Sequence, residues 1–121
     1  MAYRFAAKPA SFALGRLKTG QMNKTEERYA AHLEARRIAG ENLWYGFEAI
    51  KLRLADNTFY TPDFAVMAKD GVIELHEVKG FWTDDARVKI KVAADRFPFR
   101  FVAMKARSQK NGGGWERESF E

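Results

Sequence analysis

The stretch Tyr60-Thr61-Pro62-Asp63-Phe64-Ala65-Val66-Met67-Ala68-Lys69-Asp70-Gly71-Val72-Ile73-Glu74-Leu75-His76-Glu77-Val78-Lys79 decides how the rest of the sequence is read. Two extended runs, 59–67 and 72–78, flank Lys69-Asp70-Gly71, a hairpin turn signal. Asp63 and Glu77 lie seven residues to either side of Asp70. Antiparallel pairing across a turn centred there sets the two acids opposite one another. Strand side chains alternate between faces, so Glu77 and Lys79 share one face with Ile73 and Leu75, while Glu74, His76 and Val78 take the other. Opposed carboxylates repel unless a cation lies between them, and charges on an apolar strand face are costly to bury without partners. A hard ion such as Mg²⁺, held by one or two carboxylates with water and substrate phosphate, meets that need.

Upstream, residues 23–38 have helical periodicity, with Met22, Glu26, Tyr29, Ala30, Leu33 and Arg37 on one face, and Gly40 ends the segment. Glu26 therefore faces inward as the helix carboxylate of the site. Glu27, about 100° around the helix, is the alternative. Asn23 and Glu26 also have the spacing of a capping box, and cap and site roles are compatible. Residues 43–47 read as a short aromatic strand. Ile50-Lys51-Leu52-Arg53-Leu54 alternates apolar and basic, a half-buried strand with Lys51 and Arg53 outward, and Asp56-Asn57 marks a turn. Downstream, Thr83 caps a helix that runs to Phe97 before Pro98, and residues 99–104 form a last apolar strand. The fold expected is α/β, one central mixed sheet flanked by helices.

Length and composition narrow the function classes. A chain of 121 residues holds one domain, and 46% hydrophobic residues give it a core. With no cysteine and two histidines, disulfides, thiolate zinc sites and a cysteine nucleophile are excluded, and a bound metal falls to carboxylates. No apolar run approaches the roughly 20 residues a membrane helix requires, and the setting expected is a reducing cytoplasm. The net charge of +5 is a modest bias toward polyanions. Residues 1–22, with Arg4, Lys8, Arg16 and Lys18 and no acid, read as a basic flexible arm. Residues 23–106 form the folded domain. Residues 107–121, carrying Asn111-Gly112-Gly113-Gly114, read as a flexible tail in which Trp115 and Phe120 have no assigned role.

Phosphodiester hydrolysis requires a nucleophile from water, neutralisation of charge developing at phosphorus and a stabilised leaving oxygen. A metal on Asp63 and Glu77 supplies the first two, and Lys79 orients or deprotonates the water and contacts the phosphate. Lys51, Arg53, Arg87, Lys89 and Lys91 are the candidate DNA contacts. His76, on the face opposite Glu77, reads as a satisfied or partly exposed histidine rather than a ligand. His32 reads as exposed and inert. Phe81 and Trp82 pack the core or close the site floor.

Asp63 with Glu77-Val78-Lys79 resembles the motif of the PD-(D/E)XK nuclease superfamily. More narrowly, Thr25-Glu26-Glu27-Arg28, Tyr60 to Phe64, Glu77 to Trp82 and Asp84-Asp85 resemble phage endonuclease I, over about residues 23–105. The resemblance implies a restriction-endonuclease-like core in the order αβββαβ. It places the helix carboxylate on Glu26, the metal-binding acids on Asp63 and Glu77, and the lysine on Lys79. It also implies Mg²⁺ (often two ions, with Mn²⁺ substituting), a homodimer that sometimes exchanges a strand, a phage or prophage context and branched DNA such as Holliday junctions as substrate. The segment from Lys51 to Tyr60 is short, and both arms are unlike that family. A duplex nuclease of restriction or transposition type, a non-catalytic nucleic-acid-binding module and a phage structural protein are the alternatives.

Overall fold

A computed structural model describes residues 20–79 and 83–120. Apart from residues 20–22, the arm expected over 1–22 lies outside them, as do Phe81 and Trp82. Helix α1 (Lys24–Ile38) starts at a reciprocal cap: the Glu26 N–H donates to Asn23 Oδ1 at 2.8 Å, and the Asn23 N–H donates to Glu26 Oε1 at 2.9 Å. Tyr29 and Leu33 are its buried residues. Strand β1 (Asn42–Phe47) follows and is tied to α1 by Glu34, which accepts from Arg37 and from the Tyr45 hydroxyl.

The extended run 59–67 divides in two. Strand β3 (Thr58–Tyr60) pairs with β2 (Leu52–Ala55) in a separate two-stranded ribbon, whereas β4 (Phe64–Ala68) enters the main sheet beside β5 (Ile73–Lys79). The break falls at Thr61-Pro62-Asp63, where Pro62 has no N–H to give a ladder. Strand β2 begins at Leu52; Leu52 and Leu54 are buried, with Lys51 and Arg53 exposed as the alternation requires. Between β4 and β5 the register is Phe64↔His76, Ala65↔Leu75, Val66↔Glu74 and Met67↔Ile73, the pairing that a turn centred on residue 70 dictates.

Helix α2 (Asp84–Arg96), capped by Thr83, carries the chain to β6 (Arg100–Ala106), which runs parallel to β5. A parallel neighbour cannot be reached by a tight turn, so the helix is the crossover. The sheet has two apolar faces. Leu75, Ala65, Phe101 and Ala103 pack against Ile90 and Ala93 of α2 and against the β2–β3 ribbon. Phe64, Val66, Val78, Val102 and Met104 pack against Tyr29 and Leu33 of α1. The protein is thus α/β, with a mixed sheet ordered β1-β4-β5-β6 before its last strand. No described helix is long and apolar enough to cross a membrane.

That last strand corrects the reading of residues 107–121. A short 3₁₀ turn (Gln109–Asn111) leads into Gly112, Gly113 and Gly114, with φ of 98°, 66° and 73°, and then strand β7 (Trp115–Phe120) pairs antiparallel with β6. Three successive left-handed residues are affordable only to glycine, so this glycine run is a tight corner rather than a slack linker. Phe120 is buried on the α2 face, and Trp115 meets Tyr29 edge-on at 4.9 Å on the other. The Arg87 guanidinium reaches Glu118 at 2.7 Å, fastening α2 to the new edge.

A chain ending at Gly114 loses Phe120 from the core and exposes the β6 edge. Its unfolding free energy is expected to fall by at least about 3 kcal/mol in urea titration, where loss of a flexible tail changes nothing.

Candidate active site

The site is assembled where β4 leaves the sheet and β5 ends. Ladder pairing stops at Phe64, one residue short of Asp63, and the Asp63 side chain takes over the next donor: the Val78 N–H gives Oδ2 a hydrogen bond of 2.8 Å. Asp63 Oδ1 has no partner among the described residues. Its own carbonyl accepts from the Glu48 N–H at 2.8 Å, which fixes the backbone of the break. Opposite it, Glu77 is buried. The Tyr60 hydroxyl donates to Glu77 Oε1 at 2.7 Å, and Lys79 Nζ lies 3.0 Å from Oε2.

Burial and the neighbouring charge of Glu77 push the Asp63 carboxyl up to about 8, against a smaller opposing pull from the Val78 N–H. Burial alone pulls the Lys79 ammonium down, but the charges of Glu77, Asp63 and Glu26 outweigh it and hold its pKa above the ordinary value. Lys79 is therefore a fixed positive charge at neutral pH. The Tyr60 phenol is pushed far upward by burial and by Glu77, so it serves only as a donor.

Glu26 is half-buried and its charge is felt by both Asp63 and Lys79, whereas Glu27 is exposed. Glu26 Oε1 is occupied by its own cap, however, and among the described residues no three acids or histidines converge into a preformed metal cage. The donor set suits a hard ion all the same. Mg²⁺ keeps several waters and needs one or two carboxylates, which Asp63 and Glu77 provide. A cation beside the pair would also offset the burial and the Glu77 charge that raise the Asp63 pKa.

The surrounding cleft, about 320 Å³, is lined by Phe59, Tyr60, Glu77, Lys79, Asp85 and Lys89. Of the candidate DNA contacts, Lys89 lies in this cleft. Lys51 sits over the Phe59 ring at 4.5 Å, and exposed Arg53 is 3.6 Å from Asp56. Arg87 and Lys91 line a different groove with Glu118. Tyr60 is the site residue that sequence reasoning passed over. A tyrosine on the inward side of β3, beside the break before Asp63, is the signal that points to it.

His76 is buried, with Nδ1 2.6 Å from the Tyr29 hydroxyl and Nε2 2.9 Å from Glu74, consistent with a satisfied histidine. His32, read as exposed, is instead half-buried and stacked on Tyr29 at 5.5 Å, because β7 brings Trp115 over that helix face.

Residues 23–112 match the family described as "Protein of unknown function (DUF1064)", and the chain belongs to that family. No curated protein and no solved structure matches the chain. The matched range contains Glu26, Asp63, Glu77 and Lys79, and β7 begins beyond it.

The raised Asp63 pKa has a definite sign for stability. The folded state keeps this proton to about pH 8, while the unfolded chain releases it near pH 4, so metal-free stability falls as pH rises through that window. Asp63→Asn removes the effect. Its melting temperature in EDTA is expected to exceed the parent's by roughly 3–8 °C at pH 8 and to match it at pH 4. A difference that is constant with pH contradicts the buried, mutually repelling pair.

Proposed function

We propose that this DUF1064 chain is a metal-dependent DNA endonuclease that hydrolyses phosphodiester bonds, with Asp63, Glu77 and Lys79 at its centre. The observation that carries the reading is the meeting of buried Glu77 and half-buried Asp63, two repelling carboxylates, with one held ammonium at a strand break, where Glu77 and Lys79 line an open cleft. Such an arrangement is destabilising for a protein that only packs or only binds a polyanion, because carboxylates repel phosphate. The element order lends support. Without the β2–β3 ribbon and β7, the chain runs helix, three strands, helix, strand, the order of a restriction-endonuclease-like core.

Asp63 and Glu77 would hold Mg²⁺ (or Mn²⁺), which would supply neutralisation of phosphate charge and activation of water. Glu26 adds negative potential from the helix cap. The residues themselves do the rest. Tyr60 fixes the Glu77 carboxylate through one oxygen. Val78 fixes Asp63 through its backbone N–H. Lys79, charged throughout the neutral range, contacts the phosphate and orients the attacking water rather than removing its proton. Lys89 extends the positive wall of the cleft, and Lys51 and Arg53 add salt-dependent contacts from the ribbon.

Branched DNA is the favoured substrate, and a homodimer in a phage or prophage setting the favoured assembly, both on the resemblance to endonuclease I. Four-way junction, linear duplex and single-stranded DNA, each incubated with Mg²⁺ or EDTA, test the substrate. Cleavage is expected with Mg²⁺ alone, and fastest on the junction; equal cutting of all three sinks the preference while sparing the nuclease. Asp63→Ala, Glu77→Ala and Lys79→Ala are each expected to lower the rate at least about 100-fold. Unchanged cleavage by Asp63→Ala and Lys79→Ala rules out this centre. Tyr60→Phe, which keeps the ring and loses the hydroxyl, is expected to slow cleavage roughly 5- to 20-fold.

A further inference from the structure

On the α1 face of the sheet, away from the face that carries Glu77, a cavity of about 470 Å³ opens between α1 and β7. That volume falls within the range of small-ligand sites. Trp115 forms one wall and also lines a second hollow of about 170 Å³ beside Arg28 and Arg107. The half-buried indole thus has open space on two sides. It meets Tyr29 at 74° and His32 at 48°, so no ring among the described residues lies parallel upon it. An indole left unstacked at a cavity is a platform for a flat partner.

The polar groups around it specify the partner further. Asn42 is 4% exposed; its Nδ2 donates to the Leu33 carbonyl at 3.3 Å, which fixes the carboxamide, and its Oδ1 is buried with no partner among the described residues. Burial and the nearby Arg36 and His76 hold the His32 pKa below its ordinary value, so its ring is a neutral surface. Guanidinium groups surround the opening. Arg36 is paired with Glu41 at 3.0 Å, but both side chains are about half exposed, and such surface pairs exchange readily. Arg117 is held on the Glu74 carboxylate through both terminal nitrogens, at 3.4 and 3.5 Å, and Glu41 and Glu74 also line the cavity, so the phosphate-facing charges are at its rim; the Arg107 guanidinium is anchored on the Trp115 carbonyl at 3.0 Å.

We infer that Trp115 is a stacking platform for one unpaired nucleotide of a nucleic-acid strand. The base lies in the larger cavity, against the wall that contains Asn42, and the adjoining phosphates run past Arg28, Arg36 and Arg107. A base must leave its helix to stack on an indole, so the platform selects single-stranded over duplex nucleic acid. It lies on the other sheet face from Asp63 and Glu77, needs no metal, and does not rest on the proposed hydrolysis.

The test is fluorescence anisotropy of the full chain in EDTA, with labelled single strands of about 12 nucleotides and the matching duplex. Trp115→Ala is expected to weaken single-strand binding roughly 5- to 50-fold and duplex binding less than about twofold. Trp115→Phe, which keeps a ring against Tyr29, is expected to recover most of the loss. The double variant Arg28→Gln/Arg107→Gln, confined to exposed side chains, is expected to make log K against log salt shallower by roughly 1.4 on single strands. Trp115→Ala that loses single-strand binding in EDTA but keeps any Mg²⁺-dependent cleavage of duplex separates this platform from the carboxylate centre. The inference is overturned if the parent does not bind single strands, if Trp115→Ala weakens single strands and duplex alike, or if folded Trp115→Phe is as weak as Trp115→Ala.

Discussion

Everything at the candidate site depends on the place where β4 stops pairing. Pro62 cannot donate to a ladder, and the backbone turns out of the sheet before it reaches the position opposite Glu77. The Asp63 side chain then does what the missing backbone would have done and accepts the Val78 N–H at 2.8 Å. One carboxylate oxygen is thereby fixed to the sheet while the other remains for a different partner. Because the same register aims Glu77 at this point, the two charges are forced together in a poorly solvated corner. The fold carries this cost because Tyr60 and Lys79 satisfy Glu77 from two other directions.

The two sheet faces divide the labour. The face under α2 combines a compact apolar layer with the carboxylates at its end. The face under α1 buries a different polar chain, in which Tyr29, His76 and Glu74 are linked in sequence and Arg100 and Arg117 close on Glu74 from outside. Hydrogen bonding from His76 and the arginines outweighs burial and draws the Glu74 carboxyl down to about 2. Alternation along one strand, Glu74 and His76 on one side and Glu77 on the other, thus builds a satisfied network and a strained one a few residues apart. Satisfied networks hold a fold, whereas two carboxylates pressed together with perturbed titration mark a place for chemistry.

Much of this is legible from residue order alone. The hairpin turn at Asp70-Gly71 fixes the register, the register brings Asp63 to Glu77, and capping chemistry marks the starts of α1 and α2. Legibility fails where one local signal has two meanings. Asn111-Gly112-Gly113-Gly114 reads as slack because glycine permits freedom, yet here glycine permits three left-handed residues in a row and so a sharp corner into β7. The run 59–67 reads as a single strand because its residues favour extension; its halves join different sheets because Pro62 denies the ladder a donor. His32 reads as exposed because the strand that brings Trp115 over it was not anticipated.

What the sequence determines by itself is therefore whatever local geometry and period-two alternation can carry: the α/β class, the turn-centred register, and the facing of Asp63, Glu77 and Lys79. Only the tertiary structure decides which partners meet those groups from distant segments. The Tyr60 hydroxyl on Glu77 and the bringing of Trp115 and Asn42 to one cavity join segments far apart in sequence. No local pattern encodes them, because hydrogen bonds and stacking act over a few ångströms and distance in space is set by packing the whole sheet.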